Sequence, residues 1–176
     1  AAREGVHAVI APATGITGPG GRNGDTTAVL VNAPDATVVL RNLTVNKHQS
    51  VASAIRATAV GTLHIESCIL NGIDNMDSGH AAVYFGASGR LMVRDTTARN
   101  NGIGIFVVAP AGDPARASID GCRLDGNGYG VFVTSNARAT VSRTVATGGA
   151  IAGFTVSSGG PAAEVNCGHR VAGNFT

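Results

Sequence analysis

The chain has 176 residues, of which 44% are hydrophobic and 25 are glycine, with five phenylalanines, two tyrosines and no tryptophan. This composition fits one apolar core interrupted by many sharp turns. The net charge of +2 comes from scattered arginines, which argues against a nucleic-acid partner, and the longest apolar runs are too short to cross a bilayer.

The first 27 residues show little regularity. Val6–Ile10 predicts a short strand, and the glycine-rich run Gly15–Gly21 predicts a loop. We interpret residues 1–27 as an irregular N-terminal segment or an incomplete first coil of the repeat described next. Residues 28–176 form the repeat region, and its last coil is irregular.

A repeated pattern begins at residue 28, where glycine or alanine is followed by an apolar, a variable and an apolar residue. Successive copies start 22 to 28 residues apart, with a mean of 25. Repeats of this length indicate a solenoid, whose units bury a common core by stacking on their neighbours. The copies are Ala28–Val31, Ala54–Ala57, Ala82–Phe85, Gly104–Val107, Gly130–Val133 and Gly153–Val156.

Each repeat divides into three strand-like pieces. The first piece is exemplified by Val38–Leu40, the second by Leu43–Val45, and the third is the segment led by glycine or alanine. The first piece recurs at Leu63/Ile65, Leu91/Val93, Ala117/Ile119, Ala139/Val141 and Ala163/Val165. Alternation with a period of two points every second residue inward. We therefore predict an all-β solenoid of six to seven coils of about 25 residues, with three short strands per coil.

This arrangement resembles the right-handed parallel β-helix proteins, the broad pectate-lyase-like group, over about residues 28–167. The resemblance implies a parallel β-helix, and the group includes polysaccharide lyases, hydrolases, adhesins and spike proteins. The sequence lacks the polygalacturonase segments Asn-Thr-Asp, Asp-Asp, Gly-His-Gly and Arg-Ile-Lys. It also lacks the pectate-lyase segments Trp-Ile-Asp-His and Arg-x-Pro-x-x-Arg, so no catalytic role transfers to a residue of this chain.

Two sets of residues are predicted to stabilise the stack. Cys68 and Cys122 share one column with Thr96 between them, and two strand spacings of ~4.8 Å are too long for a disulfide bond. We expect both to be buried thiols and Cys167 to be unpaired. Asparagines near one corner are expected to hydrogen-bond along the stack. These corner residues are Asn46, Asn71, Asn100, Asn101, Asp125 and Asn127.

A column of charged residues follows the first strand of each coil. Neighbouring side chains of opposite sign predict a salt-bridge ladder that fixes the register. In the alternative interpretation, Glu66 and Asp120 flank Arg94 at a carboxylate separation of roughly 6.5 to 9.5 Å, as in inverting glycosidases. Arginine serves as the base in the pectate lyases that the chain resembles. The full column is Arg41, Glu66, Arg94, Asp120, Ser142 and Asn166.

A second outward column lies on the third strand and places three aromatic rings on consecutive coils. Such a strip predicts a subunit interface or a surface covered by a loop, simple structural stacking, or a platform for sugar rings. We regard Arg56, Tyr84, Phe106 and Phe132 as its binding residues. The full column is Leu30, Arg56, Tyr84, Phe106, Phe132 and Thr155.

The long turn of residues 72–80 contains the weak metal candidates Asp74, Asp77 and His80. Their spacing matches neither a calcium loop nor a zinc motif, and no histidine has a serine or cysteine partner arranged as a triad. No phosphate-binding glycine loop precedes a helix. We therefore expect no metal and no cofactor.

These observations favour a non-catalytic, exported β-helix module, located outside the cell or at its surface. Its aromatic column would engage a second subunit or a polysaccharide. One alternative is a polysaccharide lyase or glycoside hydrolase that uses the groove along Glu66, Arg94 and Asp120. Another is a structural fragment of a larger surface protein.

Overall fold

The computed structural model describes residues 8–10, 26–46, 51–73, 80–110, 112–134, 136–157 and 164–167, and these ranges contain sixteen strands and no helix. In chain order the strands are β1 (Ala8–Ile10), β2 (Thr26–Arg41), β3 (Leu43–Asn46), β4 (Val51–Glu66), β5 (Ile69–Asn71), β6 (Ala81–Phe85), β7 (Gly89–Arg94), β8 (Thr97–Arg99), β9 (Ile103–Val108), β10 (Ala115–Asp120), β11 (Arg123–Asp125), β12 (Tyr129–Thr134), β13 (Ala137–Ser142), β14 (Val145–Thr147), β15 (Ala152–Ser157) and β16 (Glu164–Cys167).

Every strand pairing is parallel. A six-stranded short sheet has the order β1-β3-β5-β8-β11-β14, and a ten-stranded sheet has the order β15-β12-β9-β6-β4-β7-β10-β13-β16, with β2 also paired to β4. We call β7, β10, β13 and β16 arm 1, and β6, β9, β12 and β15 arm 2. The two arms join because β4 runs through a corner, so that its first half pairs with β6 and its second half with β7.

The predicted all-β solenoid with three strands per coil is confirmed. In the first coils, β2 and β4 each supply the third strand of one coil and the first strand of the next in a single run of 16 residues. The described residues make about five turns of roughly 26 residues each. This is fewer than the predicted six to seven coils, because that number counted the chain ends, which lie mostly outside the described residues.

The hydrophobic core consists of inward columns that run the length of the stack. In arm 1 the residues of β10 alternate between buried and exposed, because the outer face of this arm meets solvent. In arm 2 the residues Ile103–Val107 of β9 are all buried, because other side chains cover the outer face there. The two arms therefore present chemically different surfaces. One arm 2 core column consists of Ile55, Val83, Ile105, Val131 and Phe154.

The glycine or alanine that leads each arm 2 strand marks a close approach between coils. A Cβ atom on Gly104 would lie 2.6 Å from the carbonyl oxygen of Gly130, and one on Gly130 would lie 2.4 Å from that of Gly153. Both separations are shorter than real Cβ contacts. The repeated small residue is thus a packing requirement of the stacked backbone.

The corner between arm 1 and the short sheet uses left-handed backbone in five successive coils. Its amides donate to the next coil, as in the 3.1 Å bond from Asn42 N to Glu66 O. Asparagine, aspartate and glycine tolerate this conformation best, and arginine does so rarely. The corner residues, with φ between 46° and 65°, are Asn42, Ser67, Asp95, Gly121 and Arg143.

Two polar ladders lie inside the stack; the asparagine ladder and the burial of the two thiols agree with the sequence predictions. Asn127 accepts from the backbone amide of Asn101 (3.0 Å) and from its side-chain amide (2.9 Å), and both asparagines are buried. Cys68 and Cys122 are buried free thiols, and their backbone amides donate to threonine hydroxyls of the next coil at 3.3 Å. Cys167 is free and exposed. Burial raises the pKa of all three thiols, and that of Cys122 to about 11.

The predicted register of the last coil is wrong by two residues. Val165 pairs with Ala139 and Asn166 with Thr140, whereas the sequence pattern placed Val165 beside Val141 and Asn166 beside Ser142. The pattern placed Ala163 beside Ala139, which is a spacing of 24 residues. The structure instead returns the chain to arm 1 two residues later, so Asn166 does not belong to the charged column.

Candidate functional site

Two outer surfaces contain the residues that the sequence singled out. The first is the outer face of arm 1, where Arg41 pairs in register with Glu66, Glu66 with Arg94, and Arg94 with Asp120. Ser142 follows Asp120 in the same column. The structure thus brings Glu66, Arg94 and Asp120 onto consecutive coils, as the period predicted.

The N-terminal part of this column is an ion pair. Arg41 Nε donates to Glu66 Oε2 at 2.6 Å, and Nδ1 of His64 lies 3.8 Å from Glu66 Oε1. Arg41 is largely exposed and Glu66 is half-buried. Glu66 is therefore held by the preceding coil and not by Arg94 of the following coil.

Asp120 is held from the following coil by a residue that the sequence analysis missed. Arg143 donates from Nε to Asp120 Oδ1 at 2.9 Å and also donates to Oδ2, while the Ser142 hydroxyl donates to Oδ1 at 2.8 Å. These hydrogen bonds, from Arg143 first and then Ser142, lower the pKa of Asp120 to about 2. One feature of Arg143 pointed to this role. It occupies the left-handed corner column, where the other coils have asparagine, serine, aspartate or glycine.

Arg94 stands between these two pairs. Its guanidinium makes no hydrogen bond or ion pair within the described ranges, although its charge also lowers the pKa of Asp120. It borders a depression of about 140 Å³ that is lined by Glu66, Asp120, His64, Met92, Val93 and Ser118. A glycosidase needs one protonated carboxyl as its acid. Here Asp120 is ionised and accepts hydrogen bonds from both Arg143 and Ser142, so the depression offers no such acid at that position.

The second surface is the outer face of arm 2. Its column has the predicted register, from Leu30 through Arg56, Tyr84, Phe106 and Phe132 to Thr155. Within this column, Tyr84, Phe106 and Phe132 belong to a hydrophobic cluster separate from the core. We call Arg56, Tyr84, Phe106, Tyr129 and Phe132 the aromatic cluster.

The rings of the aromatic cluster are tilted against one another. Tyr84 meets Phe106 with centroids 5.4 Å apart at an interplanar angle of 70°, and Phe106 meets Phe132 at 5.4 Å and 47°. Tyr129 lies 5.1 Å from Phe132 at 54°. The Arg56 guanidinium sits 4.3 Å from the centroid of the Tyr84 ring, a cation–π contact.

The cluster is partly closed to solvent. Phe106 is only 6% exposed, whereas Tyr84 and Phe132 are half-buried. Tyr129 was not predicted from the sequence, because it precedes the glycine of its repeat and therefore lies outside the aligned column. Ala81, Ile103 and Val108 also pack into the cluster.

The third predicted site cannot be built from the structure. Asp74 and Asp77 lie outside the described residues, and His80 is half-buried at the start of the next described range. Within the part of the chain that the structure describes, no three His, Cys, Asp or Glu side chains are grouped to hold a metal ion. That same part contains no helix of the length and apolarity needed to cross a membrane.

Comparison with known proteins agrees with this architecture. The model of the family described as "right handed beta helix region" matches residues 27–169. Searches of curated proteins and of solved structures returned no match. The family match covers the stacked coils from the start of β2 through β16. On this evidence the chain belongs to the right-handed β-helix family.

Proposed function

We propose that this chain is a non-catalytic, exported β-helix module that binds a second copy of itself through the aromatic cluster. The proposal rests on one observation, which is a hydrophobic cluster on the outside of the solenoid, separate from the core. Export is part of the proposal because the group that the chain resembles includes adhesins and other surface proteins.

The contrast between the two arms supports an interface on arm 2. The outward positions of β10 in arm 1 are Arg116, Ser118 and Asp120, as expected for a solvated sheet face. In arm 2, consecutive coils instead direct tyrosine and phenylalanine outward. Contiguous apolar side chains on an outer face mark interaction sites more often than isolated ones do.

The ring geometry favours a protein partner over a sugar platform. A sugar ring stacks on an open, flat aromatic face, but the rings here are tilted by 47° to 70°. Tyr84 is contacted by Arg56, and its Cε1 atom lies 2.5 Å from where a Cβ on Gly86 would stand. An uneven apolar surface that includes tyrosine and arginine is typical of the buried centre of protein interfaces.

The state of the charged column supports the non-catalytic part of the proposal. Glu66 is paired with Arg41, and Asp120 is ionised by its bonds to Arg143 and Ser142. Both carboxylates are hydrogen-bonded to neighbouring coils, an arrangement that stabilises the register of the stack.

Sedimentation velocity across a concentration series tests the proposal. We expect a reversible dimer for the parent chain, a monomer for Tyr84→Ala and Phe132→Ala, and retention of the dimer in Tyr84→Phe, which keeps the ring. Met92→Ala is the matched control, because it removes an exposed apolar side chain of the same coil from arm 1. A parent chain that stays monomeric, or a dimer that survives both alanine variants with unchanged circular dichroism, would contradict it.

A further inference from the structure

We propose that Asn71 is a site of spontaneous deamidation, and that the carboxylate formed there pairs with Arg99 of the next coil. The described residues contain three Asn-Gly dipeptides, at 71–72, 101–102 and 127–128. They lie at or just after the ends of β5, β8 and β11 on the short sheet. This sheet is separate from arm 2 and its aromatic cluster, so the proposal is independent of the proposed function.

Deamidation of an Asn-Gly dipeptide is a cyclisation followed by hydrolysis, and glycine favours the cyclisation because it has no Cβ to obstruct it. The Gly72 nitrogen forms a bond to Asn71 Cγ, the bond from Cγ to Nδ2 breaks, and ammonia leaves with the proton of the Gly72 amide. Water then opens the cyclic imide at one of its two carbonyl carbons. The product at position 71 is aspartate or isoaspartate, and water is the co-reactant.

The fold protects the other two asparagines from this reaction, because each side chain must first leave its hydrogen bonds. Asn101 donates to Leu70 O at 3.3 Å and to Asn127 Oδ1 at 2.9 Å. It also accepts from the amide of Ile73 at 2.9 Å. Asn127 likewise holds three bonds, with Ala98 O and with both amides of Asn101. Both asparagines are buried.

Asn71 stands outside this buried ladder. It lies two residues before the ladder position, which is occupied in its coil by Ile73. The Asn71 side chain is half-buried, and its one hydrogen bond within the described ranges is accepted from Asn100 Nδ2 at 3.3 Å. Fewer bonds and greater exposure leave Asn71 free to rotate towards the following nitrogen more often than the inner asparagines.

The backbone does not account for this difference, since the three glycine nitrogens are held alike. Each donates to a carbonyl oxygen of a neighbouring coil, at 3.1 Å for Gly72, 2.6 Å for Gly102 and 2.9 Å for Gly128. The attacking nitrogen must leave such a bond in every case. The side chain therefore determines which asparagine reacts.

A carboxylate at position 71 would meet an arginine that lacks an acidic partner. Arg99 pairs in register with Asn71 on one side and with Asp125 on the other. Asp125 is already engaged by Arg123 at 3.2 Å and by the Thr147 hydroxyl at 2.7 Å. Arg99 is exposed, and its guanidinium makes no hydrogen bond or ion pair in the part of the chain that the structure describes. Aspartate at position 71 would create an ion pair between coils, like the two in the charged column.

Peptide mapping by mass spectrometry during incubation at pH 8 tests the selectivity. Cleavage after arginine places Asn71, Asn101 and Asn127 on separate peptides. In the folded chain we expect Asn71 to deamidate at least about tenfold faster than the inner two, because each of those must break two more hydrogen bonds. In urea, which is the control, all three should react at similar rates. Equal rates in the folded chain, or no reaction there at Asn71, would overturn the proposal.

Variants test the pairing of the product with Arg99. Asn71→Asp should raise the melting temperature at low salt by about 1 to 3 °C, and Arg99→Gln should abolish this gain. Asn46→Asp is the matched control, because Asn46 is exposed and occupies the same column one coil earlier, beside Asn71. It should give no gain. An equal gain in both aspartate variants, or a gain that persists in Arg99→Gln, would overturn the proposed pairing.

Discussion

The buried asparagine ladder provides a sharp test of how the coils are held together. Asn127 is 1% exposed and links two coils with three hydrogen bonds. It donates to the carbonyl oxygen of Ala98 at 2.9 Å and accepts from both the backbone and the side-chain amides of Asn101. Replacing Asn127 with alanine removes every one of these contacts in a single step.

The expected loss of stability follows from the polar groups that Asn127→Ala leaves without their partner. The backbone N–H of Asn101 loses its Asn127 partner in a buried position, which costs about 1 to 3 kcal/mol. The other two bonds contribute about 1 kcal/mol each, and the Asn101 side chain keeps its 3.3 Å bond to Leu70 O. We therefore expect Asn127→Ala to lower the free energy of unfolding by about 4 kcal/mol.

Urea unfolding followed by circular dichroism measures this loss. The matched control is Asn71→Ala, because Asn71 accepts one exposed 3.3 Å bond from Asn100 in the same corner region. The control should lose less than about 1 kcal/mol. A loss in Asn127→Ala no larger than that of the control would refute the view that the inner ladder holds adjacent coils together.

Three further predictions concern other parts of the stack. Because hydrogen bonds from Arg143 lower the pKa of Asp120 from 3.8 to about 2, its ion pair should stabilise the fold fully above pH 3.8 and be lost as the pH falls towards 2. After solvent screening this amounts to about 1 kcal/mol, and acid titration of Asp120→Asn should lack that loss. Gly130→Ala should destabilise the fold by about 1 to 3 kcal/mol in thermal melts, since its new methyl group would meet backbone; an unchanged melting temperature would contradict the close approach. In the native protein at pH 8, a thiol reagent should modify Cys167 alone, and the two core thiols should react only after unfolding. Rapid reaction of all three thiols would contradict their burial.

The sequence predicted the columns well because a solenoid translates period directly into position. Residues one repeat apart lie side by side, so counting from Glu66 to Arg94 and Asp120 was enough to place them on consecutive coils. The same counting placed Tyr84 beside Phe106. Inward and outward faces followed from the alternation along each strand.

The remaining features depend on side-chain conformation and on irregular turns. Arg143 reaches back to Asp120 from a left-handed corner, a direction that repeat spacing does not encode. Phe106 is buried because neighbouring rings pack against it, although the sequence pattern assigns it to an outward, exposed position. The predicted register of Asn166 was wrong because repeat spacing alone does not fix how many residues separate β15 from β16.

The joining of the two arms in β4 determines where foreign sequence can be accommodated. In that coil the chain passes from arm 2 to arm 1 without a break, and a Cβ on Gly61 would lie 2.8 Å from the Asp35 backbone, so no room exists for a graft. Between β9 and β10, residues 112–114 are instead exposed, and no atom of the described residues lies within 4 Å of a Cβ built on Gly112. Foreign peptide segments would therefore be best inserted at residues 112–114, where added residues would extend into solvent.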